Sequence, residues 1–269
     1  MDDHVNGVTL DENKTFNFDE YEPIYAQDSG YIQLISYTPI FNELKDYEAE
    51  VVLQANMGDF IVKGEVIGYL CNKQDDNLTF KMQNSEEKQG IESFLNKHMV
   101  FADVRSSSYD FRYSIQKIEE VALRALSASV NDPVTGIDCI HSLGYFLGRL
   151  AELEEGYFLI EEEEHPAKLY YEGPSFKKDA YRFLRSIIQY GVKDLATVLA
   201  LFDVYKDVAA MATKRNLETL EEIAHYTKEK AHLCFEHEKD IEMNDHDFME
   251  LLKFIERKKG KWKSSKCRD

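Results

Sequence analysis

The chain has 269 residues, of which 43% are hydrophobic and 30% are charged, a balance that is typical of a folded protein and excludes a disordered or collagen-like chain. Aspartate and glutamate (50) outnumber lysine and arginine (32), so the net charge of −18 repels phosphate backbones and argues against binding of nucleic acid. The four cysteines lie far apart without a CxxC pair, which argues against a disulfide scaffold or a zinc ribbon, and no apolar run approaches the length of a membrane-spanning helix.

The N-terminal part of the chain is predicted to form short strands. Residues 1–28 are polar and acidic, and we expect an irregular lead-in. Its aromatic residues, which are free to pack on another element, are Phe16, Phe18, Tyr21 and Tyr25. Residues 29–72 are predicted to form a small β-rich module. Its elements are strands at 30–35, 50–55, 60–62 and 66–70 and a short helix at 38–47.

Two glycines of this module, Gly58 and Gly64, fall at predicted turns between very short strands. Glycine adopts a positive φ without strain, and the pattern Gly58-Asp59, Val62, Gly64 resembles the tight corners of biotinyl/lipoyl-like half-barrels. Such barrels carry their cofactor on a lysine in a Met-Lys hairpin. The residues that follow Leu70 contain no Met-Lys pair, so we expect a structural or interaction module without a cofactor.

From about residue 86 onward the apolar residues recur with helical spacing, which predicts an α-helical bundle over residues 86–256. The predicted helices cover residues 86–99, 110–127, 133–154, 175–190, 194–212, 217–239 and 245–258. The acidic run Glu161 to Glu164 interrupts them and is predicted to be an exposed loop. The expected fold class is therefore α+β, mainly α, with a small N-terminal β-unit that resembles a half-barrel and is followed by the helical bundle.

The segment that precedes the predicted helix at 133–154 is expected to be a tight bend. Its polar residues are Arg124, Ser127, Asn131, Asp132 and Thr135. Under one interpretation, the free N–H groups of the helix N-terminus bind an anion, with Arg124 as a second contact, although Asp132 would repel that anion. Under the other, Asp132 caps the helix while Ser127 and Asn131 close the bend, and the arginine pairs with an acid. Both interpretations stay open.

A stripe of carboxylates and histidines follows the predicted helix at 217–239. Its members are Glu222, His225, Glu229, His232 and Glu236. The repeated Glu-x-x-His spacing is that of di-iron bundles, but those sites need one such pair on each of two facing helices. The favoured interpretation is a half-solvated border beside the apolar face of the helix, and metal binding is the alternative.

The chain carries no recognisable catalytic signature. His-Glu-x-x-His, Gly-x-Ser-x-Gly, the Walker A sequence and the dinucleotide-binding glycine pattern are all absent from the sequence. No catalytic residue is therefore predicted, and the question whether the protein is an enzyme stays open, with a non-catalytic role preferred.

The C-terminal segment, residues 257–269, is a basic tail in an otherwise acidic chain. Seven lysines and arginines lie between Arg257 and Arg268. They are expected either to contact anionic lipid headgroups at a membrane surface or to form a solvated, frayed terminus.

Several separated segments share one family pattern. They are, in chain order, Ser29-Gly30-Tyr31-Ile32-Gln33; Gly58-Asp59-Phe60-Ile61-Val62 and Gly64; Phe111, Ile115, Gln116 and Ile118; Ala122-Leu123-Arg124-Ala125-Leu126-Ser127; Val130-Asn131-Asp132-Pro133 and Thr135; and Phe183 to Gly191. Over about residues 25–210 the chain thereby resembles a bacterial family of predicted membrane proteins, domain of unknown function 2254. It departs from the family pattern at Ala128 and Gly136, where the family has proline and alanine.

The resemblance implies a domain that lies against a bacterial membrane, on the cytoplasmic side at its inner face. Family members carry transmembrane helices upstream of this region, so we expect either the water-soluble portion of a longer protein or a member without the membrane part. The hypothesis is a non-catalytic domain that acts in assembly, interaction or sensing and forms a homo-oligomer through small-residue helix faces such as residues 136–148. The alternatives are a metal-binding protein or enzyme, and a small-anion receptor at a helix N-terminus; the small-molecule ligand is not identified.

Overall fold

The structure, a computed structural model, describes residues 8–71, 85–163 and 165–265 and divides into two compact units. The first unit contains residues 8–113 and 156–173, within the described ranges. The second contains residues 114–155 and the chain from residue 174 onward. The chain therefore enters the second unit, returns to the first for one short passage, and enters the second again.

The first unit contains two β-sheets, two α-helices and two short 3-10 helices within its described residues. The strands are β1 (Val8–Asp11), β2 (Glu22–Tyr25), β3 (Gly30–Ile35), β4 (Glu50–Leu53), β5 (Phe60–Ile61), β6 (Val66–Cys71), β7 (Met99–Ala102), β8 (Tyr157–Glu162) and β9 (His165–Glu172). A six-stranded sheet has the order β1-β8-β9-β4-β6-β2, in which only β4 and β9 run parallel. A three-stranded antiparallel sheet has the order β5-β3-β7. The α-helices are α1 (Tyr37–Leu44) and α2 (Ser85–Lys97).

The two α-helices of the first unit cover its core with one-sided apolar stripes. Ile40 and Phe41 of α1, and Ile91 and Leu95 of α2, are buried in one cluster with side chains from both sheets. Burial of a large apolar side chain contributes about 1.5–3 kcal/mol, so this cluster is the main source of stability in the unit.

The glycine turns have the predicted backbone conformation, with φ of 91° at Gly58 and 89° at Gly64. A Cβ atom at Gly58 would overlap the carboxylate of Asp110. That buried carboxylate lies 2.5 Å from Nε of Arg105 and accepts a hydrogen bond from the Tyr113 backbone at 3.1 Å. Position 58 therefore requires glycine for two reasons, the positive φ and the close approach of an ion pair.

The predicted domain boundaries differ from the structure in the placement of strands. The expected irregular lead-in contains β1 and β2, and the predicted helical region 86–256 contains β7, β8 and β9. Residues 29–72 do not form a sheet of their own, because β3 pairs with β7 and β4 pairs with β9. The partners in β4 and β9 lie 118 residues apart in the chain, so no local pattern reveals the pairing.

The acidic run is not a loop throughout. Glu161 and Glu162 form the end of β8, opposite Lys168 and His165 of β9. Nζ of Lys168 lies 2.8 Å from the Glu161 carboxylate, and cross-strand pairs of opposite charge stabilise antiparallel strands. Glu163 lies in the turn that follows, and residue 164 lies outside the described residues.

The second unit is helical. Its helices are α3 (Phe111–Ala125), whose first turn precedes the unit, α4 (Pro133–Ala151), α5 (Phe176–Gly191), α6 (Leu195–Met211), α7 (Lys214–His232) and α8 (Glu238–Ser265). The seven predicted helices are all present, and the α+β, mainly α fold class is confirmed. The largest difference is α8, which begins before the predicted residue 245 and continues through residue 265 of the predicted tail.

The small-residue face of α4 packs within the chain. A Cβ atom at Gly144 would lie 2.6 Å from Cγ1 of Val204 on α6, and one at Gly148 would lie 2.6 Å from Sδ of Met211. The prediction that this face forms a self-association surface is therefore wrong, because α6 already occupies it.

Candidate functional site

The bend between α3 and α4 is a close turn held by backbone hydrogen bonds. The Asp132 N–H donates to the Ala125 carbonyl at 2.9 Å, and the Asn131 N–H donates to the Ser127 carbonyl at 2.9 Å. The Ser127 hydroxyl donates to the Arg124 carbonyl at 2.7 Å. Asn131 has a φ of 51°, a left-handed conformation that asparagine tolerates better than most residues.

The N-terminus of α4 is capped by a carboxylate of the same chain. Asp132 accepts from the Thr135 N–H at 3.2 Å and from the Thr135 hydroxyl at 2.6 Å. These hydrogen bonds lower the pKa of Asp132. The exposed Arg124 makes no hydrogen bond to this cap, and its positive charge helps to lower the pKa of Glu120 instead. The helix dipole at this end is therefore already compensated, which disfavours an external anion at the bend.

The His/Glu stripe of α7 is divided among different partners. Glu222 accepts hydrogen bonds from Lys177 and Tyr181, both at 3.3 Å. The His225 ring packs edge-on against Phe248 with 4.8 Å between ring centroids.

The remaining members of the stripe also have separate partners or are exposed. His232 Nε2 lies 2.8 Å from a carboxylate oxygen of Asp245, which also lies 3.2 Å from Nζ of Lys228. Glu229 is exposed on α7, whereas Glu236, predicted to lie on the same helix, is exposed beyond the end of α7 at His232. Within the three described ranges, no group of three or more histidine, cysteine, aspartate or glutamate side chains lies close enough to hold a metal ion.

Two lysines of the predicted basic tail take part in internal packing. Lys258 donates to the carbonyls of Ala209 and Ala210, at 2.8 and 2.5 Å, where α6 ends. Burial of its ammonium group lowers the pKa of Lys258. Lys259 pairs with Glu221 of α7. A cation at a helix C-terminus compensates the helix dipole, so this part of the tail stabilises the second unit.

An apolar face that the sequence did not reveal lies on the outer side of the three-stranded sheet. Opposite residues in the register share a side of the sheet, and the outward side carries Tyr31, Leu34, Phe60, Val100 and Ala102. The Tyr31 and Phe60 rings meet edge-on at 5.0 Å. Phe60 is 56% exposed and Val100 is 46% exposed. We call these five residues the outer sheet face; the missed strand β7 explains why sequence patterns did not find it.

A groove on the outward side of α5 is the second feature that sequence reasoning missed. It has a volume of about 690 Å³ and is lined by Lys178, Tyr181, Arg182, Arg185, Ser186, Gln189 and Tyr190. These positions recur with helical spacing opposite the buried apolar stripe of α5. Basic residues on such a face look like ordinary solvated side chains in a sequence. We call this set the α5 groove.

The α5 groove borders a buried carboxylate of α3. Burial raises the pKa of Glu119, while a hydrogen bond from Ser186 and the positive charge of Arg182 lower it in part. Arg182 and Arg185 are exposed, and among the described residues neither forms an ion pair. Arg182 is therefore compensated only in part, by the neighbouring Glu119, and no carboxylate pairs with Arg185 within the described residues.

These geometric features occur in a chain that matches a known family. Residues 4–207 match the family described as "Predicted membrane protein (DUF2254)", and the chain belongs to that family. Its relatives include an uncharacterized protein of Mycobacterium bovis and two uncharacterized proteins of Mycobacterium tuberculosis, each 23% identical over 187 residues. No solved structure matches the chain.

The chain spans about a third of the length of these relatives, since the match covers 70% of this chain and 34% of each relative. Among the helices of the described residues, none combines the length and the apolar character needed to cross a bilayer.

Proposed function

We propose that the chain is a non-catalytic assembly module of a membrane-associated bacterial protein and that it self-associates through the outer sheet face. The observation that supports this proposal is a set of aromatic and aliphatic side chains on one side of a small sheet, of which Phe60 and Val100 are exposed and the other three are half-buried. Exposed apolar patches of this kind characterise interaction surfaces, because removal of apolar area from water is favourable by about 25 cal/mol per Å².

The composition of the outer sheet face favours a second copy as the partner. None of its five residues is charged, although 30% of the chain is charged. An uncharged surface is complementary to another uncharged surface, and in a two-fold dimer the outer sheet faces of the two copies would cover each other. Because each copy carries a net charge of −18, long-range repulsion opposes association and added salt should strengthen it.

We place this module on the cytoplasmic side of the bacterial inner membrane. The family description and the greater length of the mycobacterial relatives support a membrane context. Basic residues near the end of α8, such as the exposed Arg257, suit the anionic cytoplasmic leaflet. In bacterial spheroplasts, the chain within its native full-length protein should resist external protease until the membrane is opened; digestion in intact spheroplasts would contradict this location.

Sedimentation velocity at tens of micromolar protein tests self-association. We expect a dimer for the wild type and a monomer for the double variant Phe60→Ser/Val100→Ser. Leu233→Ser is the matched control, because Leu233 is 83% exposed but lies in the second unit; it should leave the dimer intact. A monomeric wild type, or equal dissociation of both variants, would refute the proposal.

A further inference from the structure

We infer that the α5 groove binds the phosphoryl group of an anionic ligand, with Arg182 and Arg185 as its principal contacts. This inference is independent of the proposed self-association, because the groove lies entirely on α5 of the second unit and the outer sheet face lies in the first.

The charge of the groove sets it apart from the rest of the molecule. Aspartate and glutamate outnumber lysine and arginine by 50 to 32 in the chain, yet none of the seven groove residues is acidic and three are basic. Arg182 and Arg185 are close neighbours on one helix face, and neither forms an ion pair within the described residues, although the Glu119 carboxyl interacts with the charge of Arg182. An anion bound between them would relieve their mutual repulsion.

The donor groups of the groove match a phosphoryl group better than a carboxylate. Each guanidinium presents a planar fork of N–H donors that binds two oxygens at once. A carboxylate has only two oxygens and satisfies one such fork. A phosphate monoester has three terminal oxygens and up to two negative charges, so it can engage Arg182 and Arg185 together.

The remaining lining residues frame this pair. The Ser186 hydroxyl donates to Glu119 of α3 and is therefore engaged within the fold rather than donating to the ligand. The Tyr181 hydroxyl donates to Glu222 at 3.3 Å, and this hydrogen bond holds the Tyr181 ring at one side of the groove. Gln189 and the exposed Tyr190 lie at the other end, and the volume of about 690 Å³ has room for more than an inorganic phosphate.

A phosphoryl group of this kind occurs both in lipid headgroups and in free phosphate esters. Titration calorimetry at constant ionic strength should therefore use inorganic phosphate and glycerol phosphate, with sodium chloride as the reference. A second arm should use vesicles of phosphatidylglycerol mixed with phosphatidylcholine, with pure phosphatidylcholine vesicles as the reference. Binding to the anionic vesicles assigns the source to lipid, whereas binding to the free esters alone assigns it to a soluble ligand; either result supports the inference.

Substitutions locate the binding. We expect Arg182→Gln and Arg185→Gln each to weaken binding about tenfold, since a hydrogen bond to a charged group typically contributes that much. Arg124→Gln is the matched control, because Arg124 is another exposed arginine of the second unit without an ion pair in the described residues, at the bend where the sequence suggested an anion. Circular dichroism verifies that each variant is folded.

The inference predicts that the Arg182→Gln/Arg185→Gln double variant loses both ester and vesicle binding and that Arg124→Gln keeps it. It is overturned if the wild type binds none of the probes, if Arg124→Gln loses binding to the same degree, or if binding survives in the double variant. The last result would assign the contact to other basic residues, such as those at the end of α8.

Discussion

Helices α4 and α5 both carry segments of the family pattern, yet they use their polar and small residues in opposite ways. On α4 the fold satisfies these residues internally: Asp132 caps the helix and Gly144 admits Val204 of α6. On α5 the cations Arg182 and Arg185 remain without an ion pair among the described residues. A polar or glycine-rich motif therefore indicates a binding site only where no other residue of the chain pairs with its polar groups or packs against its glycines.

The largest effect is expected from a test of the α4 half of this comparison. Gly144→Ala places a Cβ atom 2.6 Å from Cγ1 of the buried Val204, and we expect a loss of about 1–2 kcal/mol in the free energy of unfolding. Gly260→Ala on α8 is the matched control, because no atom of the described residues lies within 4 Å of its Cβ position. That control should gain up to about 1 kcal/mol from helix propensity. Urea denaturation measures both; a stabilising Gly144→Ala would show that the face is not filled by α6.

A smaller effect is expected at the cap of α4. Asp132→Ala leaves the Thr135 N–H without its acceptor, and we expect the Tm to fall by about 3 °C. Asp132→Asn keeps an acceptor and should remain close to the wild type. Thermal circular dichroism measures the difference. Since Asp132→Ala also exposes the N-terminus of α4, added phosphate should restore part of the Tm of this variant. Equal Tm values for Asp132→Ala and Asp132→Asn would contradict the capping role.

The helices were predictable because their signals are local. Asp132 before a proline and Asp194 before an apolar run mark the starts of α4 and α6, and in the structure both carboxylates cap their helices. A cap, a one-sided apolar stripe and a terminal glycine all lie within a few residues of the element they define, so the sequence alone contains the information.

The sheets and the surfaces were less predictable because their causes are distant. In the sequence, β9 looks like an interruption of the helical region, and only its pairing with β4 identifies it as a strand. Gly144 indicated a close approach correctly, but its spacing does not reveal whether the partner is another copy or α6. Arg182 and Arg185 look like any solvated pair in the sequence, which does not show that they line a groove whose lining residues include no acid.

The smallest effect concerns Glu119 at the border of the α5 groove, where burial holds its pKa above the usual range. The folded protein therefore binds more protons than the unfolded chain, so the contribution of Glu119 to stability is retained at low pH and lost as pH rises through the folded pKa. Relative to the wild type, the Tm of Glu119→Gln should increase between about pH 4 and pH 7.

The neighbouring Glu120 provides a control of opposite sign. A hydrogen bond from Lys117 lowers the pKa of Glu120, so its contribution to stability is present above the unfolded pKa and is lost as pH falls. Relative to the wild type, the Tm of Glu120→Gln should therefore decrease as pH rises from about pH 3 to pH 5, at the lower end of a scan from about pH 3 to pH 7. Differential scanning calorimetry across this range distinguishes the two slopes. Parallel profiles for the two variants would mean that Glu119 is as well solvated as Glu120, and Ser186 of the α5 groove would then not border a buried carboxylate.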